Sequence, residues 1–469
     1  MDEVRPDGQE PRPEASSLPV FEPHALRGMV LGEVHARPFR PARAPRVYLR
    51  YGFMTDEAAA AADRDWLSGF CKAQGAAGPE PSARYHVVDL QTGSLRWERH
   101  GEFTTYTWDG PGDGPGRARG DDGALEPDTQ AEDAASDGSA SFFAPPHGHP
   151  FGASFRAPGP LIVAVRLDLL QPSVNGFERV LRQFDRASLA VSEVEGDAAL
   201  IATDFRQDRD GLTRIVIANE RLHPQPAGAL AQRLLELETY RTLSLLGLAE
   251  ANRQAPTVVR IEDGLFHITE KMRSSEGVET NRVLLDDLTQ LAAELESGAA
   301  ASAYRFGATR AYDAIVGQRL IAIDEKPAEG YFTFGQFLNR RMAPAMRTCR
   351  TIEERQANLS RKLARAATLL RTRVDVELER QNRDLLMAMN RRARLQLRLQ
   401  QTVEGLSVAA ISYYVVGLAG YLAKAAKEAG LPVPRPEIVT GLSVPVAVVT
   451  IWYVVRRIRA HHNDADEKG

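Results

Sequence analysis

Two runs without a charged side chain, close together near the C-terminal end, constrain this sequence more than any other feature. GLSVAAISYYVVGLAGYLA (405–423) has 19 residues and IVTGLSVPVAVVTIWYVV (438–455) has 18. A helix crosses the hydrocarbon core of a bilayer with about 20 predominantly apolar residues. A short polar link, KAAKEAGLPVPRPE (424–437), joins the two runs, so they read as a transmembrane helical hairpin. The alternative is a buried helical hairpin of a soluble protein, against which the Arg-rich outer flanks argue. Pro445 falls inside the second run, where neighbouring helices or water satisfy the carbonyl it frees.

Charge orients the hairpin. Arg391, Arg392, Arg394 and Arg398 precede the first run, and Arg456, Arg457 and Arg459 follow the second. The link holds only Lys424, Lys427 and Arg435 as bases. Short flanks richer in Arg and Lys stay in the cytoplasm, which places both termini inside and sends only the link across. Trp452 and Tyr453 sit near the inner end of the second run, as interfacial aromatic anchors do.

Bulk composition hides this hairpin. Over 469 residues the mean hydropathy is -0.31, with 43% hydrophobic and 26% charged residues, the profile of a soluble globular protein. It excludes a chain made mostly of spans, a collagen-like fibre and a fully disordered tail. A net charge of -4 excludes a basic nucleic-acid binder as a whole. The two cysteines, Cys71 and Cys349, make neither a disulfide framework nor a zinc motif and suit reduced structural thiols. Residues 1–20 hold acids and prolines without an apolar run, so no export signal is expected there.

The rest of the chain divides by pattern. Residues 1–23 read as a disordered leader. Residues 24–225 read as an α/β (or α+β) cytoplasmic domain, with a short helix over 24–34. Its strands are expected at 47–53, 84–90, 95–100, 102–108, 161–170, within 189–205 and at 211–220, with a hairpin turning near Gly101. An Ala-rich helix lies within 55–75, and a Gly, Asp, Ala and Pro-rich insertion at 109–140 cannot bury a core. Residues 226–336 form a helical region, with helices over 227–254, 281–298 and 303–325 and a stop at Gly298.

Residues 337–404 are a stalk. No glycine occurs between Gly335 and Gly405, and 345–404 can form one helix about 90 Å long. Apolar residues recur every eleven positions: Leu363, Val374, Leu385; Leu359, Leu370; Ala367, Leu378, Met389. That repeat favours straight helices packed side by side. The partner is either the chain's own helices over 281–325 or another copy. Residues 340–400 hold 16 Arg plus Lys and 6 Asp plus Glu, so a basic stalk meets the membrane and an acidic body lies behind it. That basic face is read as solvated and topology-setting, its last turns being close enough to attract anionic lipid. The hairpin occupies 405–455 and a cytoplasmic tail 456–469.

The segments GEVHARPF (32–39), RRMAPAMRTC (340–349), LLRTRVDVELERQN (369–382) and RARLQLRLQQTVEGLSVAAISYYVVGLAGYLAKA (392–425) resemble those of an uncharacterised bacterial family of membrane-anchored proteins, domain of unknown function 3422. The resemblance covers nearly the whole chain apart from the leader and the insertion. It implies a protein of the bacterial inner membrane and assigns no activity.

The architecture is also similar to that of CorA-type divalent-cation channels: a cytoplasmic domain, a long helix entering the first span, a short external turn and a second span. That resemblance implies a homo-oligomer whose first spans line a pore. Its Gly-Met-Asn signature is absent, the corresponding stretch being Gly417-Leu418-Ala419-Gly420-Tyr421, and Lys424 and Lys427 stand where that family's turn is acidic. In such a pore Ser407, Tyr414 and Tyr421 would share one face at a spacing of seven, with Gly417 near the same stripe. Small residues there equally serve plain helix packing.

No enzyme is expected. Glu33, His35 and Arg37 alternate around the HARPF segment, which Pro38 and Pro41 keep extended, and could bind an anion or move a proton, or the His–Glu pair could simply hold a loop. His147 and His149 lack a nearby carboxylate or thiol, so no metal site is expected. No zinc-protease, nucleophile-elbow, phosphate-loop or kinase signature occurs, and no catalytic residue or cofactor is assigned. The expected partners are the lipid bilayer and other copies of the chain, with an ion as substrate and no nucleic acid. The rival expectation is a membrane-tethered scaffold or regulator without transport.

Overall fold

The structure, a computed structural model, describes residues 22, 24, 25, 27, 39–112, 146–171, 176–430 and 434–466, with backbone alone over 458–466. The expected leader, the 24–34 helix and the insertion from 113 onward lie wholly or largely outside these residues, as do Glu33, His35 and Arg37. The described elements run β1 (Arg46–Met54), α1 (Glu57–Ala73), β2 (Tyr85–Leu90), β3 (Gly93–Arg99), β4 (Phe103–Pro111), β5 (Leu161–Leu170), α2 (Gly176–Leu181), β6 (Ala190–Val194), β7 (Ala199–Gln207) and β8 (Thr213–Asn219). After them come α3 (Pro224–Ser244), α4 (Leu246–Ser274), α5 (Val278–Ile323), the two-residue β9 (Lys326–Pro327), α6 (Phe334–Arg341), α7 (Ala343–Glu428) and α8 (Pro436–Asp466). The fold is α+β. Its chain divides into two units, Met1–Gly264 with Leu291–Lys362, and Leu265–Gln290 with Leu363–Gly469.

In the first unit nine strands form one sheet in the order β2-β3-β4-β1-β5-β8-β7-β6-β9. Every pair is antiparallel except β5 with β8. Two successive β-α-β-β-β segments, each pairing its first strand with its last, meet at the β1–β5 pair. Alternation along β1 sends Leu49 and Phe53 to one face, where Leu67 and Cys71 of α1 join them and Trp97, Tyr106 and Trp108 from β3 and β4. Asp56 caps α1 by accepting from the Ala59 N–H at 2.8 Å. On the opposite face α3 lays Ala227, Leu230, Ala231 and Leu234 over Tyr48, Val165, Leu167, Ile215 and Ile217.

That α3 face is polar toward β3. Register places Thr107 between Arg50 and Arg96, and Glu98 beside Thr105. Arg50 pairs with Glu98 at 3.2 Å although both are buried, and Thr105 donates to the same carboxylate at 3.2 Å. Arg96 donates to Gln232 Oε1 at 3.0 Å, Gln232 donates to Glu236 at 2.9 Å, and Arg319 closes the chain on Glu236 at 2.6 Å. A relay of charge-assisted bonds therefore ties β3 to α3 and α5, where an apolar core would otherwise be expected.

Four sequence expectations change. Helix 227–254 is two helices, α3 and α4, parted at Leu245, where the Ser244 hydroxyl bonds the Arg241 carbonyl at 2.8 Å. Helix α4 then runs through Pro256, because Val258, Ile261, Leu265, Ile268 and Met272 carry its buried stripe onward. Gly298 stops nothing: α5 is continuous, and the glycine admits Gln254, which donates to the Gly298 carbonyl at 3.2 Å. Asp109 belongs to β4 rather than to the insertion, its carboxylate held by Arg46 and, at 2.5 Å, by Ser94.

In the second unit, the end of α4 buries Ile268 and Met272, the start of α5 buries Leu284 and Leu288, and α7 buries Leu363 and Leu370. Arg373 donates to the Met272 carbonyl, satisfying one of the last carbonyls of α4. Beyond Glu377, every α7 residue from 378 to 403 is exposed.

Candidate functional site

Helices α7 and α8 are both long and apolar enough to cross a membrane. Their most apolar 18-residue windows have mean hydropathies of 1.6 and 2.1, and only 11% and 6% of those residues are buried. The core helix of a soluble protein would be covered. Soluble monomers rarely expose a contiguous apolar patch beyond a few hundred Å².

The two helices meet through small side chains. Ser412, Ala423 and Ala447 are buried here, and a Cβ on Gly420 would lie 3.0 Å from Thr440 Oγ1. Hydroxyls on this face bond their own helices, Ser412 to the Val408 carbonyl at 2.7 Å and Thr440 to the Pro436 carbonyl at 2.8 Å. Close backbone approach through Gly, Ala, Ser and Thr is how helices pack where water supplies no driving force. This face was not picked out in the sequence, although its signal is present: small residues at 412, 419, 420 and 423, on one side of the helix.

The expected pore face lies elsewhere on α7. Ser407, Tyr414, Gly417 and Tyr421 are all exposed, Tyr414 at 76% and Tyr421 at 74%. Nothing lies within 4 Å of a Cβ built on Gly417. At about 100° per residue, this stripe is about 180° around the helix from Ser412 and Ala423. The stripe therefore faces away from α8.

Among the flanking bases, Arg391, Arg392, Arg394, Arg398, Arg456 and Arg457 are exposed, and the Arg459 side chain is outside the described residues. The Arg456 guanidinium sits 5.1 Å from the Trp452 ring centroid, one helical turn apart on α8. Such an Arg–Trp step suits a membrane–water boundary.

Other candidate chemistry is spread out. His149 accepts from the Phe151 N–H at 3.2 Å, and burial lowers its pKa. Cys71 and Cys349 are free and buried. Among the described residues, no three His, Cys, Asp or Glu side chains could jointly hold a metal. Asp63, which the sequence did not single out, is buried on α1 and accepts from Trp97 Nε1 and the Tyr106 hydroxyl, each at 2.7 Å. Burial raises the pKa of Asp63 even against these two donors.

A family model described as "Protein of unknown function (DUF3422)" matches residues 22–462. No curated protein and no solved structure matches the chain.

Proposed function

The chain belongs to the DUF3422 family of proteins of unknown function, and on that premise we propose a non-enzymatic integral protein of the bacterial inner membrane. Both termini lie in the cytoplasm, copies assemble through α7, and ions pass along the line where the copies meet. One observation carries this reading. Val374, Leu378, Leu385, Met389, Gln396, Val403, Ser407, Tyr414 and Tyr421 follow one another at steps of four or seven. At about 3.6 residues per turn they stay on one face of α7, from the stalk into the first span.

A partner covering that whole stripe must itself be a long helix that continues into the membrane. A second copy of α7 meets this requirement, and a shared membrane topology makes all copies parallel. With α8 on the far side of each α7, the first spans face one another and the second spans face lipid. The basic flanks at 391–398 and 456–459 support the inside orientation. The missing Gly-Met-Asn signature and the lysines of the link argue against hydrated magnesium as the cargo.

Reconstituting the full chain in liposomes tests the proposal. An oligomer with ion flux that Tyr414→Trp alters supports it. A monomer without flux contradicts it, and an oligomer without flux leaves a tethered scaffold.

A further inference from the structure

We infer that Arg392 forms a phosphate-binding ring where copies of α7 meet. The inference rests on the self-association proposed above and adds a ligand to it. Arg392 lies seven residues after Leu385 and eleven before Val403, so it shares their face of the helix. It continues the eleven-residue series of Leu359, Leu370, Gln381, Val403 and Tyr414. Between Leu378 and Tyr421 no other charged residue falls on this stripe. Arg391, Arg394 and Arg398 project from other faces of the helix.

Arg392 is exposed, and among the described residues it has no ion-pair partner. In a parallel assembly every copy brings this guanidinium to the same level. An arginine keeps its charge in a protein, so the ring cannot relieve its repulsion by losing protons. A polar residue at a helix–helix seam costs stability unless it is satisfied. An anion with several oxygens satisfies it, since each guanidinium offers a planar pair of donors that matches a phosphate edge. Arg392 precedes Gly405 by 13 residues of helix, about 20 Å. That distance sets Arg392 deeper in the cytoplasm than the lipid headgroups that the last turns of the stalk were expected to reach, so the source is soluble phosphate rather than phospholipid.

The test uses full-length protein in detergent, with oligomer dissociation followed by light scattering in sodium phosphate and in sodium chloride at equal ionic strength. Phosphate should slow wild-type dissociation about tenfold. Arg392→Gln should hold the oligomer together more strongly than wild type in chloride and respond less than about twofold to phosphate. Arg394→Gln, on the opposite face, should keep the full response. An oligomer indifferent to phosphate, an unchanged response in Arg392→Gln, or a response only to added phosphatidylglycerol overturns the inference and leaves self-association standing. A monomer under all conditions overturns both.

Discussion

Gly420 of α7 and Thr440 of α8 face each other across the hairpin: a Cβ added to Gly420 would sit 3.0 Å from Thr440 Oγ1. Gly441, the next residue along α8, has nothing within 4 Å of its Cβ position. Gly420→Leu should therefore destabilise the hairpin by about 1–3 kcal/mol through overpacking, and Gly441→Leu should be close to neutral. Thermal unfolding of the two variants in detergent measures the difference, and equal midpoints would contradict the contact.

Among the described residues, Glu98 is the carboxylate that pairs with buried Arg50, and it also accepts from Thr105. Glu98→Ala leaves that guanidinium uncompensated and should cost about 3–5 kcal/mol. The double change Arg50→Met with Glu98→Leu should recover most of the loss, because neither charge then stays buried. Urea denaturation of wild type and the two variants measures both effects, and a double variant no more stable than Glu98→Ala would contradict the account.

Asp63 supplies a pH signature. Its folded pKa is raised by burial, so its contribution is fully present below the unfolded value of 3.8 and is lost as pH rises through the folded value. The stability advantage of wild type over Asp63→Asn should therefore be larger at pH 4 than at pH 7. Paired unfolding curves at the two pH values show the sign directly, and an advantage that grows with pH would refute it.

Gly228 lies in α3, where helix propensity alone favours alanine by about 1 kcal/mol. The Arg40 carbonyl, however, stands 1.9 Å from where a Cβ would be. Ala42 donates to the Pro224 carbonyl at 2.7 Å in the same crossing. Gly228→Ala should therefore lower the unfolding midpoint, opposite in sign to the propensity.

The strands were legible because residues such as Leu49 and Phe53 alternate with period two, and the spans because charge vanishes over 405–423 and 438–455. The relay from Arg96 to Arg319 was not. Arg96 and Glu98 alternate with Leu95 and Trp97, a pattern that marks a strand with one wet face, and only the placement of α3 reveals that this face is covered. Gly298 misled for a related reason: a glycine that ends a helix and one that admits a neighbour such as Gln254 look alike in sequence. The Ser407–Tyr421 stripe was visible from its spacing, but the face that meets α8 required both helices to be placed.

The most direct measurement of the central claim is disulfide formation between copies in native membranes. Leu385 and Met387 are almost equally exposed, at 59% and 56%, yet lie on nearly opposite faces of α7. The native thiols Cys71 and Cys349 are buried. Under mild oxidation, Leu385→Cys should yield a cross-linked dimer and Met387→Cys should not. Cross-linking at 387 in preference to 385, or at neither position, would contradict assembly through this stripe.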